Sequence, residues 1–475
     1  MLGSPARAAL VLGLCLALAP RVHGGAPESA TARADADTLT FPRFGTLHLY
    51  RPAGEPKHVV LFASGDGGWD RGVVDMARAL AALDTLVVGV DTAHYLAGAP
   101  SKSECVYAAA DFEAQSQFVQ QELRLPSYSP PVLVGYSSGA TLVYALLAEA
   151  PRGTFAGAIS LGFCPDLPPG PTLCRGEALA SEPPASPKKG QRLLPVPSLE
   201  TPWIALQGQQ DQVCAWRDTQ AFVGRVGRAE IVLLRAVGHG FSAPKNWMPQ
   251  LGSAYERLIG SDRPAALPAA DVDGLPLVEV QSDGGGDTLA VVASGDGGWA
   301  GLDRQLSGVL AGAGMPVVGL NSLQYLWKRK EPEEAGRALA RILEHYFAAW
   351  KKERAVLVGY STGASILPFM ASRLSPELRS RIKLIVLLSP SATVDFEFHV
   401  GDWLHEAARK TALTVAPEVA KLPPLKVVCY YGRQEDDSLC PLLPAESATS
   451  IELPGGHHFG GDYAGIGQRI LDQVR

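Results

Sequence analysis

The stretch VLVGYSTGASI, residues 356–366, runs from a β-branched apolar segment through G-Y-S-T-G into a second apolar segment. A G-x-S-x-G match alone says little in a chain with 50 glycines. Between a strand and a helix it describes a sharp elbow, which lifts a serine hydroxyl above a sheet with a helix N-terminus behind it. VLVGYSSGATL, residues 132–142, has the same form. Ser361 and Ser137 are therefore the candidate nucleophiles.

Working outward from the two elbows, one half of the chain repeats the other. SGDGGW occurs at 64–69 and again at 294–299. DTLVVGVDTAHYL (84–96) resembles MPVVGLNSLQYL (315–326), and FAGAISLGFCP (155–165) resembles IKLIVLLSPSA (382–392). WIALQGQQDQVC (203–214) matches VVCYYGRQEDDSLC (427–440), and AVGHGF (236–241) matches PGGHHF (454–459). The order is the same in both halves, which is the mark of tandem duplication. Within each copy, runs such as HVVLFAS, TLVVGVD and PVLVGYS show no polar alternation, as expected of strands covered on both faces. Longer helical patterns separate them. The fold class is α/β: two tandem α/β-hydrolase-like domains, each a mostly parallel sheet covered by helices on both faces. The expected boundaries are a first domain at 41–262, a linker at 263–276 and a second domain at 277–475. Residues 165–202, with ten prolines, read as a loop peculiar to the first domain.

Composition narrows the function classes. Apolar residues make up 47% and charged residues 19% of the 475, which is globular rather than disordered. A net charge of −6 without a long basic block argues against nucleic acid as a partner. Residues 1–24 read as a cleaved signal peptide, with one early Arg, an apolar core and small residues near Gly24. The expected location is therefore periplasmic, with no transmembrane segment after cleavage. Apart from Cys15 inside that core there are four cysteines in the first half and two in the second, as disulfides in an exported protein require. In the second half only Cys429–Cys440 is possible, and such a bridge would clamp the loop between them.

A serine nucleophile needs a base, and the base needs an orienting acid; in this fold both follow the serine, acid first. The first half offers Asp211 and His239. The second offers His457, with Asp437 preferred as the acid because aligning Cys440 with Cys214 sets it opposite Asp211. Counting instead from Gly432 and Gly208 selects Glu435, so Glu435 and Asp436 stay as alternates. SGDGGW follows an early strand, where the fold places the loop that lends an oxyanion donor. The donors would be the backbone around Gly295 and Asp296 (Gly65 and Asp66 in the first half), paired with the N–H of Thr362 or Ser138. Trp69 and Trp299 would anchor the loops. A metal reading of His457, His458 and Asp462 lacks a suitably spaced ligand cluster, and no cofactor is expected.

From VVASGDGGWAGLD through LQYLWKRKEPEEAGRALARIL and LVGYSTGASILPFMASRLSPELR to LLSPSATVDFEFHVGDWL and GGHHFGGDY, the second half resembles the AcvB/VirJ family of exported bacterial proteins. Through the repeat the resemblance extends over most of the first half. It implies an α/β-hydrolase fold, a motif serine at Ser361, and hydrolysis of lysyl-phosphatidylglycerol at the outer face of the inner membrane. Against that lipid, Lys328, Arg329 and Lys330 are candidates for the phosphate, and Asp395, Glu397 and Asp402 for the lysyl ammonium groups. A virulence-associated binding protein built on hydrolase repeats, or a serine esterase of different substrate, are the alternatives.

Overall fold

A computed structural model describes residues 37–69, 71–98, 105–182, 190–261, 272–399 and 411–474. The signal segment, linker residues 262–271 and Asp402 lie outside the described residues.

The first half contributes β1 (Asp37–Phe41), β2 (Gly45–Tyr50), β3 (His58–Ala63), β4 (Thr85–Val90), β5 (Val132–Tyr136), β6 (Gly157–Leu161), β7 (Ser181–Glu182), β8 (Arg192–Leu193), β9 (Trp203–Gly208) and β10 (Ala229–Leu234). Eight of these form one sheet in the order β1-β2-β4-β3-β5-β6-β9-β10, and β7 and β8 form a separate ribbon. From β4 to β10 every pairing is parallel. β3, β5, β6 and β9 are buried along almost their whole length, which is why they read as continuous apolar runs. The antiparallel β1–β2 hairpin was not anticipated from sequence. Leu47 and Leu49 of β2 point inward while Thr46 and His48 do not, a short one-sided alternation that the stronger runs overshadow.

The second half contributes β11 (Leu277–Val280), β12 (Thr288–Ala293), β13 (Val317–Leu320), β14 (Arg354–Tyr360), β15 (Ile382–Leu388), β16 (Thr393–Val394), β17 (Leu413–Thr414), β18 (Val427–Gly432) and β19 (Thr449–Leu453). Its main sheet runs β11-β13-β12-β14-β15-β18-β19, with only β11 antiparallel. The chain is thus two tandem α/β domains. One expectation is corrected here. The segment 165–202 is not peculiar to the first domain, because residues 389–426 fill the same place between β15 and β18 and carry their own ribbon, β16–β17.

Registers place the site. β3 sets Ala63 against Gly135, and β12 sets Ala293 against Gly359. Each SGDGGW loop therefore leaves its strand directly beside the elbow serine. Helices Ser138–Glu149 and Thr362–Ser372 follow the elbows and are buried along nearly every residue, so they form the centre of each core.

The domains meet along helix Ala108–Glu122 and the chain after it. Trp327 Nε1 donates to the Leu125 carbonyl at 2.9 Å, and Gln121 Nε2 donates to the Phe398 carbonyl. Tyr128 lies against Trp327, which stacks on Phe398 in turn. Tyr128 belongs to the first domain in sequence and to the second domain's core in packing.

Candidate active site

Each elbow serine holds a backbone conformation that L-residues avoid. Ser137 has φ 54° and ψ −118°, Ser361 φ 52° and ψ −117°. Such strain costs about 1–3 kcal/mol and persists only where the surroundings impose it. They do so here through the flanking glycines. A Cβ on Gly359 would lie 2.5 Å from the Gly363 carbonyl oxygen, and one on Gly363 would lie 2.2 Å from that of Ala293. The chain can fold back this tightly only without those side chains.

In the second domain Ser361 Oγ lies 3.0 Å from His457 Nε2, and His457 Nδ1 lies 2.6 Å from Glu435 Oε1. The other carboxylate oxygen, Oε2, accepts from Ser389 Oγ at 2.8 Å and from the Gly432 N–H at 3.1 Å. With Nδ1–H directed at the carboxylate, Nε2 is left to accept from the serine hydroxyl. The Glu435 side chain is 4% exposed, whereas Asp436 and Asp437 are exposed.

The preference for Asp437 is thus corrected to Glu435. Backbone pairing shows why. Gln209, Gln210 and Asp211 donate to Leu234, Val237 and Gly208, while Arg433, Gln434 and Glu435 donate to Leu453, Gly455 and Gly432. Asp211 and Glu435 each stand three residues beyond their strand-end glycine. The cysteines used for the other alignment are not equivalent: Cys214 bonds Cys164, while Cys440 bonds Cys429. A third bridge joins Cys105 to Cys174.

The first domain holds a matching set. Ser137 Oγ is 2.9 Å from His239 Nε2, and His239 Nδ1 is 2.9 Å from Asp211 Oδ2. Asp211 Oδ1 accepts from the Val213 and Cys214 N–H groups at 2.8 Å each, and Gln207 Nε2 donates to Oδ2 at 3.0 Å. Ser389 and Gln207, the groups that steady the two acids, carried no motif signal. Asp211, Cys214 and His239 also present potential metal-ligand atoms within 4.8 Å of one another, but Cys214 is disulfide-bonded and offers no thiolate.

Electrostatics follow the geometry. Burial alone would raise the Glu435 carboxyl, but the hydrogen bonds from His457, Ser389 and the Gly432 N–H outweigh it and hold the group below its usual value. Asp211 is likewise lowered, as bonds from His239, Cys214 and Val213 overcome desolvation. Burial pulls the His457 imidazole down, yet the bond and charge of Glu435, with Asp296 and Asp437 adding, carry it above its usual value. Asp437 therefore acts on His457 through its field.

The repeated hexapeptide does three things in each domain. Ser64 and Ser294 accept, through Oγ, the N–H of Thr92 and Ser322 at 3.1 and 3.0 Å, tying the loop to the chain after the neighbouring strand. Gly68 and Gly298, both at φ 75°, close turns onto the Gly65 and Gly295 carbonyls. Trp69 and Trp299 lie against Gly89 and Gly319, where an added Cβ would come to 2.2 Å from the indole. The result sets Gly295 against the elbow, with its Cβ position 3.5 Å from Ser361 Cβ. Asp296 follows in the same loop. Thr362 is the first residue of its helix, so its N–H is among those without an intrahelical partner.

The proposed lipid-binding residues sit elsewhere. Lys328 and Lys330 line a cavity of ≈ 410 Å³ between the domains, shared with Pro126 and Ser127. Lys330 pairs with Glu334 at 2.7 Å and Arg329 with Glu331 at 3.5 Å. Asp395 accepts from Thr411 Oγ1 at 2.6 Å, and both Asp395 and Glu397 face His399. Among the described residues no hydrogen bond or ion pair links these five to Ser361, His457 or Glu435. His458 meets the Tyr360 hydroxyl through Nδ1 at 2.8 Å, and Asp462 accepts from the Gly465 N–H, so they do not gather with His457 as ligands.

A mostly parallel sheet, a strained serine elbow after a central strand, and a histidine and carboxylate following in that order define an α/β serine hydrolase architecture. The model of the family described as bacterial virulence protein (VirJ) matches residues 57–156 and 287–475. That is more than half of the chain, and the chain belongs to this family. The match covers the whole second set of site residues, but in the first domain it stops before Asp211 and His239. Among solved structures, the chain is similar to the esterase domain of a Rhodothermus marinus protein, with 16% identity, TM-score 0.32, and coverage of 47% of this chain and 98% of that one. It is similar to an esterase from Thermogutta terrifontis, with 18% identity, TM-score 0.33, and coverage of 50% and 96%. A lidless α/β serine hydrolase from Xanthomonas campestris matches with 18% identity, TM-score 0.32, and coverage of 49% and 96%. No curated protein matches the chain.

Proposed function

We propose that this chain is an exported serine hydrolase whose second domain cleaves the aminoacyl ester of lysyl-phosphatidylglycerol through an acyl-enzyme on Ser361. The observation that carries the reading is the unbroken chain Ser361 Oγ, His457, Glu435, at 3.0 and 2.6 Å. In the first half-reaction Ser361 Oγ attacks the ester carbonyl while His457 Nε2 takes its proton. The oxyanion is met by the Thr362 N–H and by the backbone of the loop carrying Gly295 and Asp296. His457 then returns the proton to the departing glycerol oxygen. Water, activated by the same imidazole, releases lysine from the serine. Glu435 fixes the imidazole and stabilises its cation.

Membership of the VirJ family supports the substrate, as does the acidic surrounding of His457, which favours a cationic acyl group over an anionic one. Export is supported by the three disulfides, which persist in oxidising compartments. No helix among the described residues is long and apolar enough to cross a membrane. The proposed encounter with lipid is at the membrane surface, with the basic cluster at Lys328, Arg329 and Lys330 as the proposed contact for anionic headgroups. The test is lysine release from lysyl-phosphatidylglycerol in mixed micelles. Purified wild type should release it and Ser361→Ala should fall by several orders of magnitude. No release by wild type overturns the substrate, and equal release by the variant overturns the nucleophile.

A further inference from the structure

The cavity of ≈ 410 Å³ at the domain seam is built from three stretches of chain. Pro126 and Ser127 close it from the first domain, residues 273–276 form a second side, and residues between 324 and 341 supply the rest. Its walls are fixed. Trp327 donates to the Leu125 carbonyl at 2.9 Å and lies between Tyr128 and Phe398. The Asn321 N–H donates to the Pro276 carbonyl at 3.0 Å, and Arg341 donates to that of Asp273 at 3.2 Å. The short helix Ser322–Tyr325 enters the cavity wall just past the carboxyl end of β13. The Ser294 loop and the Ser361 elbow leave β12 and β14 at that same edge, where open α/β sheets take their ligands.

The charge around it is lopsided. Lys328, Lys330, Arg337 and Arg341 line the cavity against two carboxylates, Asp273 and Glu334, in a chain whose net charge is −6. Glu334 is taken by Lys330 at 2.7 Å. Among the described residues neither Lys328 nor Arg337 forms an ion pair, and both are exposed. The repeat supplies a comparison. Setting DTAHYL against NSLQYL puts Gly98, Ala99 and Pro100 opposite Lys328, Arg329 and Lys330, so these cations belong to the second domain alone. Tyr95, the counterpart of Tyr325, donates to Asp111 at 2.8 Å, and Arg43 both pairs with that aspartate and lies 4.5 Å from the tyrosine ring centroid. Tyr325 lines the cavity and is buried, and its hydroxyl has no hydrogen-bond partner. Glu334, Arg337 and Arg341, all cavity residues, are the charges that act on its phenol. Where the first domain supplies an acid of its own, the second leaves Lys328, Arg337 and a buried hydroxyl without one.

We infer that this seam cavity binds the phosphate of a phosphate ester, with Lys328 and Arg337 as its principal cationic contacts. Phosphate oxygens can be shared among several donors, and a guanidinium meets them in a two-pronged pair. The volume falls within the roughly 300–1,000 Å³ of small-molecule sites, which leaves room for the organic part of the ester. A lipid headgroup and a soluble phosphate ester share this chemistry. The site goes beyond the surface contact proposed above and stands whether or not Ser361 acts on a lipid.

Two probes separate the sources: glycerol 3-phosphate by titration calorimetry, and phosphatidylglycerol vesicles by co-sedimentation. Wild type should bind at least one of them saturably, and should bind neither glycerol nor vesicles of phosphatidylcholine, whose choline cation offsets the phosphate. Arg337→Gln and Lys328→Gln should each weaken that binding at least about tenfold. Arg225→Gln removes one positive charge from an exposed position of the first domain outside the cavity, and should leave binding within about twofold. Cavity-dependent binding of glycerol 3-phosphate shows that a soluble ester suffices, and cavity-dependent binding of vesicles alone assigns the site to a lipid headgroup. Equal losses in Arg337→Gln and Arg225→Gln, or no saturable binding of either probe, overturn the inference. Lysine release from lysyl-phosphatidylglycerol by wild type is measured separately and decides the catalytic reading by itself.

Discussion

At the residue scale, the acid beside His457 is a glutamate where the repeat has an aspartate. Both nucleophiles and both histidines could be read from G-x-S-x-G and from the two histidine motifs, because a strand–turn–helix context constrains them. The acid could not, since EDDSLC offers three carboxylates and the cysteine beside it belongs to a different bridge. The deciding cue was the count of three from the strand-end glycine, a backbone register that no side chain advertises. Glu435→Gln should lower kcat/KM by about 10³–10⁴, the scale of losing the group that sets the imidazole tautomer. Asp437→Asn, altering only an exposed field, should stay within about threefold. The pH profile separates them further. His457 must be neutral to accept the serine proton, and its raised pKa sets the acidic limb of kcat/KM above the ordinary histidine value. Removing the Glu435 charge lowers that pKa, so the limb in Glu435→Gln should move to lower pH. A limb that stays in place while Asp437→Asn abolishes activity would return the role to Asp437.

At the scale of elements, what the sequence revealed was rhythm, and what it concealed was pieces too short to have one. The parallel strands announced themselves because burial on both faces demands unbroken apolar runs. β1, β2 and the two-residue ribbons did not, and the likeness between 165–202 and 389–426 is one of position rather than of sequence. The Cys429–Cys440 bridge was readable because two cysteines allow one pairing, and it spans the loop that holds Glu435. Closing a loop of 11 residues restricts the unfolded chain by about 2.5–3 kcal/mol. The double variant Cys429→Ser/Cys440→Ser should lose about that much in denaturant unfolding, with a larger fractional loss of activity than its folded fraction explains. Full activity in the folded double variant would show that Ser389 and the Gly432 N–H hold Glu435 unaided.

At the scale of the whole molecule, duplication has produced two assembled sites with different surroundings. The first carries Asp211, with Asp66 and Gly67 of its SGDGGW loop exposed; the second carries Glu435, with Asp296 and Gly297 half-buried. That difference was invisible in sequence, and seam residues such as Tyr128 and Gln121 carry no motif and gain meaning only when the repeats dock. The central claim is that Ser361 is an activated nucleophile in the folded chain. A fluorophosphonate probe phosphonylates such a serine and spares an idle one, and tandem mass spectrometry of the labelled peptides reports which residue reacted. The geometry predicts an adduct on Ser361 in wild type, lost in His457→Ala and strongly slowed in Glu435→Gln. Ser361 left unlabelled in folded wild-type protein, or labelled at the same rate in His457→Ala, would contradict it.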